Sequence, residues 1–242
     1  YEIYQCDWSS DVCSSDLLEI IARNSSMVIY DIGANSGTYG VLASVRSKKS
    51  DIYFFEPMSK PLEMLRQNLH LNCLDSGQRT IQINQIGLSN YNGKGIVYIE
   101  SEKEFTYSVT INENKLSNYK KVVSKSVDVA RIDSLIDKNE IKTPDLIKID
   151  VEGHEYEVLL GMGRYLNPNQ IFIIECLSNE AADNLNKIFN PDIWSFWNVN
   201  DLTRTVRKTS KINKSDFYNY LVCSHNKSDW LITEGILARG IS

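Results

Sequence analysis

Short apolar runs alternate with amphipathic stretches from Met27 onward, and this alternation organises the chain. Met27-Val28-Ile29-Tyr30 and Asp51-Ile52-Tyr53-Phe54-Phe55 have the continuous apolar character of strands buried on both faces of a parallel sheet. Between them, about Gly37 to Ser47 reads as a helix. After Glu56-Pro57 a second helix is expected, with Ser59 as its cap, Leu62, Leu65 and Leu69 on one face, and His70 near its end. Ile81 to Ile86 alternates apolar and polar residues, a third strand, and is broken by Gly87 and by Asn90 to Gly93. Ile96 to Ile99 and Val122 to Ile132 predict two further strands. The polar segment Glu100 to Lys121 between them reads as an insertion, either a lid over a site or a solvated loop.

The regular alternation then returns: a strand over Asp145 to Val151, a helix over Gly153 to Met162, a strand over Gln170 to Glu175, and a helix over Asn179 to Phe189. Late strands are expected near Trp194 to Val199 and Tyr218 to Cys223. Repeated strand and helix units predict an α/β fold, Rossmann-like and doubly wound, with a mostly parallel sheet and helices on both faces. Such a sheet binds its ligand beyond the carboxyl ends of the strands, where the strand order reverses.

Composition narrows the class. The chain has 242 residues, 42% hydrophobic and 24% charged, enough for one α/β domain with little left for a second. A net charge of −5 gives no field that would gather DNA or RNA, so no nucleic-acid partner is expected. No apolar run approaches the roughly 20 residues of a membrane span, and the expected setting is cytoplasmic. Asp7 to Leu17 fits no helix, strand or turn pattern. From about Cys6 to Leu17 the string resembles a translated sequencing adapter, so residues 1–17 are set aside as non-native and a single domain is expected over 18–242. That leaves Cys73, Cys176 and Cys223 of five cysteines. They form no CxxC pair and read as buried hydrophobes in a reducing compartment.

Three clusters carry candidate chemistry. The first is Asp31-Ile32-Gly33-Ala34-Asn35-Ser36-Gly37, directly after the first strand. Gly33 and Gly37 lack a Cβ, which lets the backbone turn sharply and approach a ligand, while Asp31 or Asn35 can hydrogen-bond an amino acid moiety. The spacing is neither GxGxxG nor GxxxxGK[ST], and no lysine is present to meet a phosphate. The second is Glu56, at the end of the second strand and about 25 positions after Asp31, where a carboxylate can accept both hydroxyls of a ribose. The third is Lys148-Ile149-Asp150-Val151-Glu152-Gly153-His154-Glu155. A period of two gives Lys148, Asp150 and Glu152 one orientation, and three ionisable groups on one strand face must meet one another, a ligand or water. Glu152 and Glu155, three apart, are expected on the same side of the next helix's first turn.

From about Val28 to Cys223 the chain resembles the FkbM family of methyltransferases. The matching pieces are Asp31 to Gly37, Phe55-Glu56-Pro57, the Gly87-Leu88-Ser89 turn, Arg131-Ile132-Asp133-Ser134-Leu135, and Ile147 to Glu155. The resemblance implies a class I methyltransferase fold with a seven-stranded sheet. It also implies transfer of a methyl group from S-adenosylmethionine to a hydroxyl, typically of a sugar, glycan or natural product. It places Asp31, Gly33, Asn35 and Gly37 on the methionine side and Glu56 on the ribose, with Ser89 counted among the cofactor residues.

Methyl transfer to a hydroxyl needs an in-line nucleophile and a base for its proton. Asp150 and Glu152 are the candidate bases, Lys148 can hold a carboxylate ionised or pair with it structurally, and Glu175 can bind the acceptor or order Lys148. His154, alone in a helix-start loop, reads more readily as a structural residue. Carboxylate oxygens suit Mg²⁺, so a divalent ion between Asp150 and Glu152 is compatible with the sequence but not required by it. Arg204, Arg207, Lys208, Lys211 and Lys214 form a basic stretch, either a solvated loop or a contact for an acidic acceptor. Trp194, Trp197 and Trp230 read as packing residues first and sugar-stacking residues second. The alternatives are a nucleotide-binding oxidoreductase on the same sheet, disfavoured by the absent GxGxxG, and a non-catalytic cofactor-binding module.

Overall fold

A computed structural model describes residues 14, 18, 21–22, 26–72, 74, 79–100, 109–110, 122–203 and 205–237. The chain begins its regular structure with β1 (Val28–Ile32), α1 (Thr38–Arg46), β2 (Asp51–Phe55), α2 (Ser59–Leu71) and β3 (Ile81–Asn84). Four strands follow: β4 (Gly87–Leu88), β5 (Gly93–Glu100), β6 (Val109–Thr110) and β7 (Val122–Ala130). Then come α3 (Ile132–Asp137), β8 (Leu146–Ile149), α4 (Glu155–Met162), β9 (Ile171–Glu175) and α5 (Asn179–Ile188). The chain closes with β10 (Trp194–Asn200), β11 (Thr205–Thr209), β12 (Asn219–Ser224) and α6 (His225–Thr233).

The large sheet has the order β11-β10-β12-β9-β8-β1-β2-β3. From β9 through β3 the neighbours are parallel, whereas β12 runs antiparallel to both β9 and β10. The doubly wound reading holds, with eight strands in place of the expected seven. The extra strand is β11, antiparallel to β10 at the sheet edge. Its sequence, Thr-Val-Arg-Lys-Thr, is too polar to read as a strand, and charged residues are what an exposed edge carries to discourage pairing with another chain.

Period-two alternation sorts the central strands into two cores. Ile29 of β1 and Ile171 and Ile173 of β9 join Val41 of α1, Leu62, Leu65 and Leu69 of α2, and Leu231 of α6 on one face. Tyr30, Ile147, Ile149, Phe172 and Ile174 join Leu135 of α3, Val158 and Leu159 of α4, and Leu185 of α5 on the other. Trp194 and Trp197 are core residues, 4% and 1% exposed, which removes them as sugar-stacking candidates. Cys176 and Cys223 are buried free thiols, as expected, and Cys73 lies outside the described residues.

Several boundaries differ from expectation for local reasons. Ser59 is the first helical residue of α2, not its cap; Met58 holds that position, and its N–H donates to Glu56 Oε1 at 2.8 Å. The strand expected to reach Ile132 stops at Ala130, and α3 begins instead, with Asp133 in its first turn bridged to Arg131. β5 and β7 pair antiparallel in a separate small sheet of order β4-β7-β5-β6. Most of the insertion expected over Glu100 to Lys121 lies outside the described residues, as do Arg204 and all of residues 1–17 but Ser14.

The loop after β1 turns through left-handed φ at Gly33 (74°), Asn35 (49°) and Gly37 (86°). What the glycines make room for is protein. A Cβ on Gly33 would stand 1.8 Å from the Asp150 carbonyl oxygen, and one on Gly37 would stand 2.2 Å from Leu65 Cδ1. Gly33→Ala therefore combines a strained φ, about 1–3 kcal/mol, with a backbone collision. It should lower the thermal midpoint by several degrees, at about 2–4 °C per kcal/mol for a chain of this size; an unchanged midpoint in a melting scan would contradict the close β1 to β8 approach.

Candidate active site

A cavity of about 600 Å³ opens at the carboxyl ends of β1, β2, β8, β9 and β10, the edge where the strand order reverses between β1 and β8. One wall is the loop Gly33 to Ser36 with Thr38, Tyr39, Glu56 and Pro57. The floor carries Lys148, Asp150, Val151 and Glu152. The opposite wall carries Glu175, Leu177, Asp201, Leu202 and Asp216 to Asn219.

The first wall is held by backbone hydrogen bonds. Gly33 and Ala34 donate their N–H groups to the Phe55 carbonyl at 3.0 and 3.1 Å, which fixes the loop against the end of β2. Asn35 N donates to Glu56 Oε2 at 3.1 Å, and with Met58 on Oε1 each carboxylate oxygen accepts one amide. Each oxygen keeps a further lone pair. Glu56 is nonetheless 7% exposed, and its burial outweighs both amides and pushes its pKa up to about 7.

Of the residues expected on the cofactor side, Gly33, Asn35 and Glu56 line the cavity, while Asp31, Gly37 and Ser89 lie behind it. Asp31 is completely buried, with Oδ2 accepting from Gly40 N at 2.9 Å and Oδ1 buried without a hydrogen-bond partner. Burial raises its pKa to about 6 against the opposing effects of Lys148 and the Gly40 amide. Ser89 Oγ is 3.0 Å from His154 Nε2, and His154 Nδ1 is 3.5 Å from Glu157 Oε2. With a partner at each ring nitrogen, and a pKa lowered by burial, His154 ties α4 to the turn after β4.

The floor brings together what the strand pattern paired. Lys148 is buried, with Nζ 2.7 Å from Asp150 Oδ2 and 3.9 Å from the centroid of the Tyr39 ring. Glu152 reaches the same place by a different route from the one its spacing suggests. β8 ends at Ile149, and left-handed residues at Glu152 (φ 56°) and Gly153 (φ 93°) swing the chain back toward β9. Carboxylate oxygens of Asp150, Glu152 and Glu175 lie within 4.8 Å of one another. Glu175 Oε2 is buried with no hydrogen-bond partner, and burial together with the neighbouring Asp150, Glu152 and Glu155 carboxylates pushes its pKa well up. A shared proton or a divalent cation would each relieve this repulsion, and the three oxygens are of the kind that binds Mg²⁺. Glu155 does not join them: it is 2% exposed, and its Oε1 accepts from Val151 N and Gly153 N, which braces the turn.

Residues 31–201 match the family model described as the methyltransferase FkbM domain. The chain belongs to this family. The matched span runs from the first residue of the glycine loop to Asp201 in the far wall, and answers the oxidoreductase alternative. Among relatives, the chain is 27% identical over 163 residues to the hexuronic acid methyltransferase AglP of Haloferax volcanii, covering 67% of this chain and 61% of that protein. It is 26% identical over 147 residues to methyltransferase 1 of Beauveria bassiana, covering 55% and 57%. The chain thus spans about three fifths of the length of these curated relatives. The crystal structure of methyltransferase FkbM from Methylobacillus flagellatus KT has the same fold, with a TM-score of 0.51 and 17% identity over 83% of this chain and 44% of that one.

Beyond the matched span, the FkbM-family chain supplies Asp216 to Asn219, which complete the far wall. No chemical motif in the sequence marks this strip, or Tyr39, Asp201 and Leu202, whose place in the walls is set by how α1, β10 and β12 lie in the fold.

Asp31 and Glu56 carry a stability signature. Both have raised pKa values in the fold, so each favours the native state while protonated, an advantage lost as pH rises through about 6 and about 7. The ligand-free chain should melt several degrees lower at pH 8 than at pH 5 in differential scanning calorimetry; a midpoint that rises over this window would contradict the burial of these two carboxyls.

Proposed function

We propose that this chain is an S-adenosylmethionine-dependent O-methyltransferase acting on a hydroxyl of a sugar, glycan or related natural product. The observation that carries the reading is the shape of the cavity: a glycine-loop wall with the Glu56 carboxylate on one side, and a three-carboxylate cluster at its centre beside an open second wall. A relative named for hexuronic acid supports a carbohydrate acceptor.

The residues fit the cofactor. Glu56 keeps lone pairs for the two ribose hydroxyls, the Gly33 to Ser36 backbone lines the same wall, and Asn35 sits beside them. Asp31 acts from behind, fixing the start of α1 through Gly40. When bound, S-adenosylmethionine supplies an electrophilic methyl group on a sulfonium centre. Glu175, whose proton affinity is raised by burial and by its neighbours, is the general base for the acceptor hydroxyl. Asp150, held by Lys148, orients that hydroxyl, and Glu152 shares the proton load.

Titration calorimetry with S-adenosylmethionine tests the cofactor. Binding is expected, stronger at pH 8 than at pH 6, because hydroxyl donors favour the ionised form of a carboxyl with a pKa of about 7. Glu56→Gln should weaken binding and flatten that dependence; no binding at either pH sinks the reading. In turnover assays followed by mass spectrometry of a glycan extract, Glu175→Gln should cut kcat by about 10²–10⁴ with little change in cofactor affinity. Undiminished turnover would move the base to Asp150 or Glu152, and a loss restored by Mg²⁺ would assign the cluster to a metal.

A further inference from the structure

Among the described lining residues of the cavity, acidic side chains outnumber basic ones. There are six (Glu56, Asp150, Glu152, Glu175, Asp201 and Asp216), of which Glu56 and Glu175 have raised proton affinity, and one ammonium, that of Lys148, which already lies 2.7 Å from Asp150. The imbalance continues on the far wall. Counting from β1, the strands β9, β12 and β10 are second, third and fourth along the sheet, roughly 10 Å or more from the glycine loop at about 4.8 Å per strand. That wall contributes Glu175, Asp201 and Asp216, together with the apolar surface of Leu202, Phe217 and Tyr218. Asp201 accepts hydrogen bonds from Ser14 N and Oγ on one oxygen and from Asn219 Nδ2 on the other. These donors are neutral and bring no compensating positive charge. Leu202 is 76% exposed and Tyr218 is 48% exposed, apolar faces of the size a sugar ring can cover.

The described part of the basic stretch that could have met an acidic acceptor is turned away; Arg204 lies outside the described residues. Arg207 and Lys208 lie on β11, which leaves the cavity edge antiparallel to β10. Lys208 is paired opposite Trp197, three residues back from Asn200 and so roughly 10 Å below the rim, with its Nζ 5.6 Å from the indole ring. Neither these two residues nor Lys211 and Lys214 line the cavity.

We infer that this site selects neutral or cationic hydroxyl compounds, seated against Tyr218 and Leu202, and rejects anionic ones such as uronic acids and sugar phosphates. The inference rests on the methyltransferase reading for what the bound compound does, and it separates this chain from the relative named for hexuronic acid. An entering carboxylate or phosphate would meet Asp201 and Asp216 with no further described lining cation to pair with, and like-charge contact disfavours it.

The charge can be read without cofactor or turnover. Three nitroxide probes of equal size, bearing an ammonium, a carboxamide or a carboxylate, are added to the full chain, and paramagnetic relaxation of the Leu202 and Tyr218 amide signals is measured by NMR. The expected order is cationic, then neutral, then anionic, with at least a twofold span that shrinks in the Asp201→Asn, Asp216→Asn double variant. An anionic probe that matches or exceeds the neutral one overturns the inference, as does a span the double variant leaves unchanged. In turnover, neutral sugars should exceed the matching uronic acids in kcat/KM by about tenfold or more, and parity overturns the inference. Failure of the methyltransferase reading would appear separately, as absent S-adenosylmethionine binding.

Discussion

The carboxyl ends of β1 and β8 come together so closely that a methyl group cannot stand between them. Asp150 N donates to the Ile32 carbonyl at 3.0 Å, and the Gly33 α-carbon sits against the Asp150 carbonyl, where any Cβ would collide. This contact joins the glycine loop to the acidic turn after β8. Neither segment has regular structure of its own at this point, so their relative position is set by the strands behind them and by this one approach. Gly33 and Asp150 both line the cavity that opens at this approach.

The same crowding sets the electrostatics. Strands buried on both faces bring their terminal polar residues into a low-dielectric edge, where carboxyls lose solvation faster than they gain partners. Asp31 and Glu175 each keep one buried oxygen without a hydrogen bond, and Glu56 stays protonated to about pH 7 despite two amide donors. Such groups destabilise the empty chain and are ready to be compensated by a bound cation or by hydroxyl donors. Stability and ligand binding are therefore linked through the same few carboxyls.

Charge on the far wall has a topological origin. The segments after β10 and before β12 bring Asp201 and Asp216 to the cavity rim, while β11 carries Arg207 and Lys208 away along the sheet edge. Arg207 and Lys208 thus end up on a different surface from Asp201 and Asp216, their near neighbours in sequence. The net charge of −5 describes neither surface by itself.

Strand and helix identity was legible in the sequence wherever burial imposed a period. The continuous apolar runs of β1, β2, β8 and β9 and the Leu62, Leu65, Leu69 face of α2 could serve nothing but a covered parallel sheet and its packing helix. The glycine loop, Glu56 and the Lys148 to Glu152 cluster were legible too, because ionisable groups at the ends of such strands have no packing purpose and glycines there mark a sharp turn or a close approach. Only the tertiary structure decided that Asp31, Gly37 and Ser89 lie behind the cavity, that Glu155 braces a turn, and that Glu152 arrives through a left-handed residue where strand alternation has already ended. It alone brought Glu175, Asp201 and Asp216 to one rim. Their neighbours in sequence carry no shared period, and what unites them is the order in which the strands lie side by side, a long-range property that local spacing does not encode.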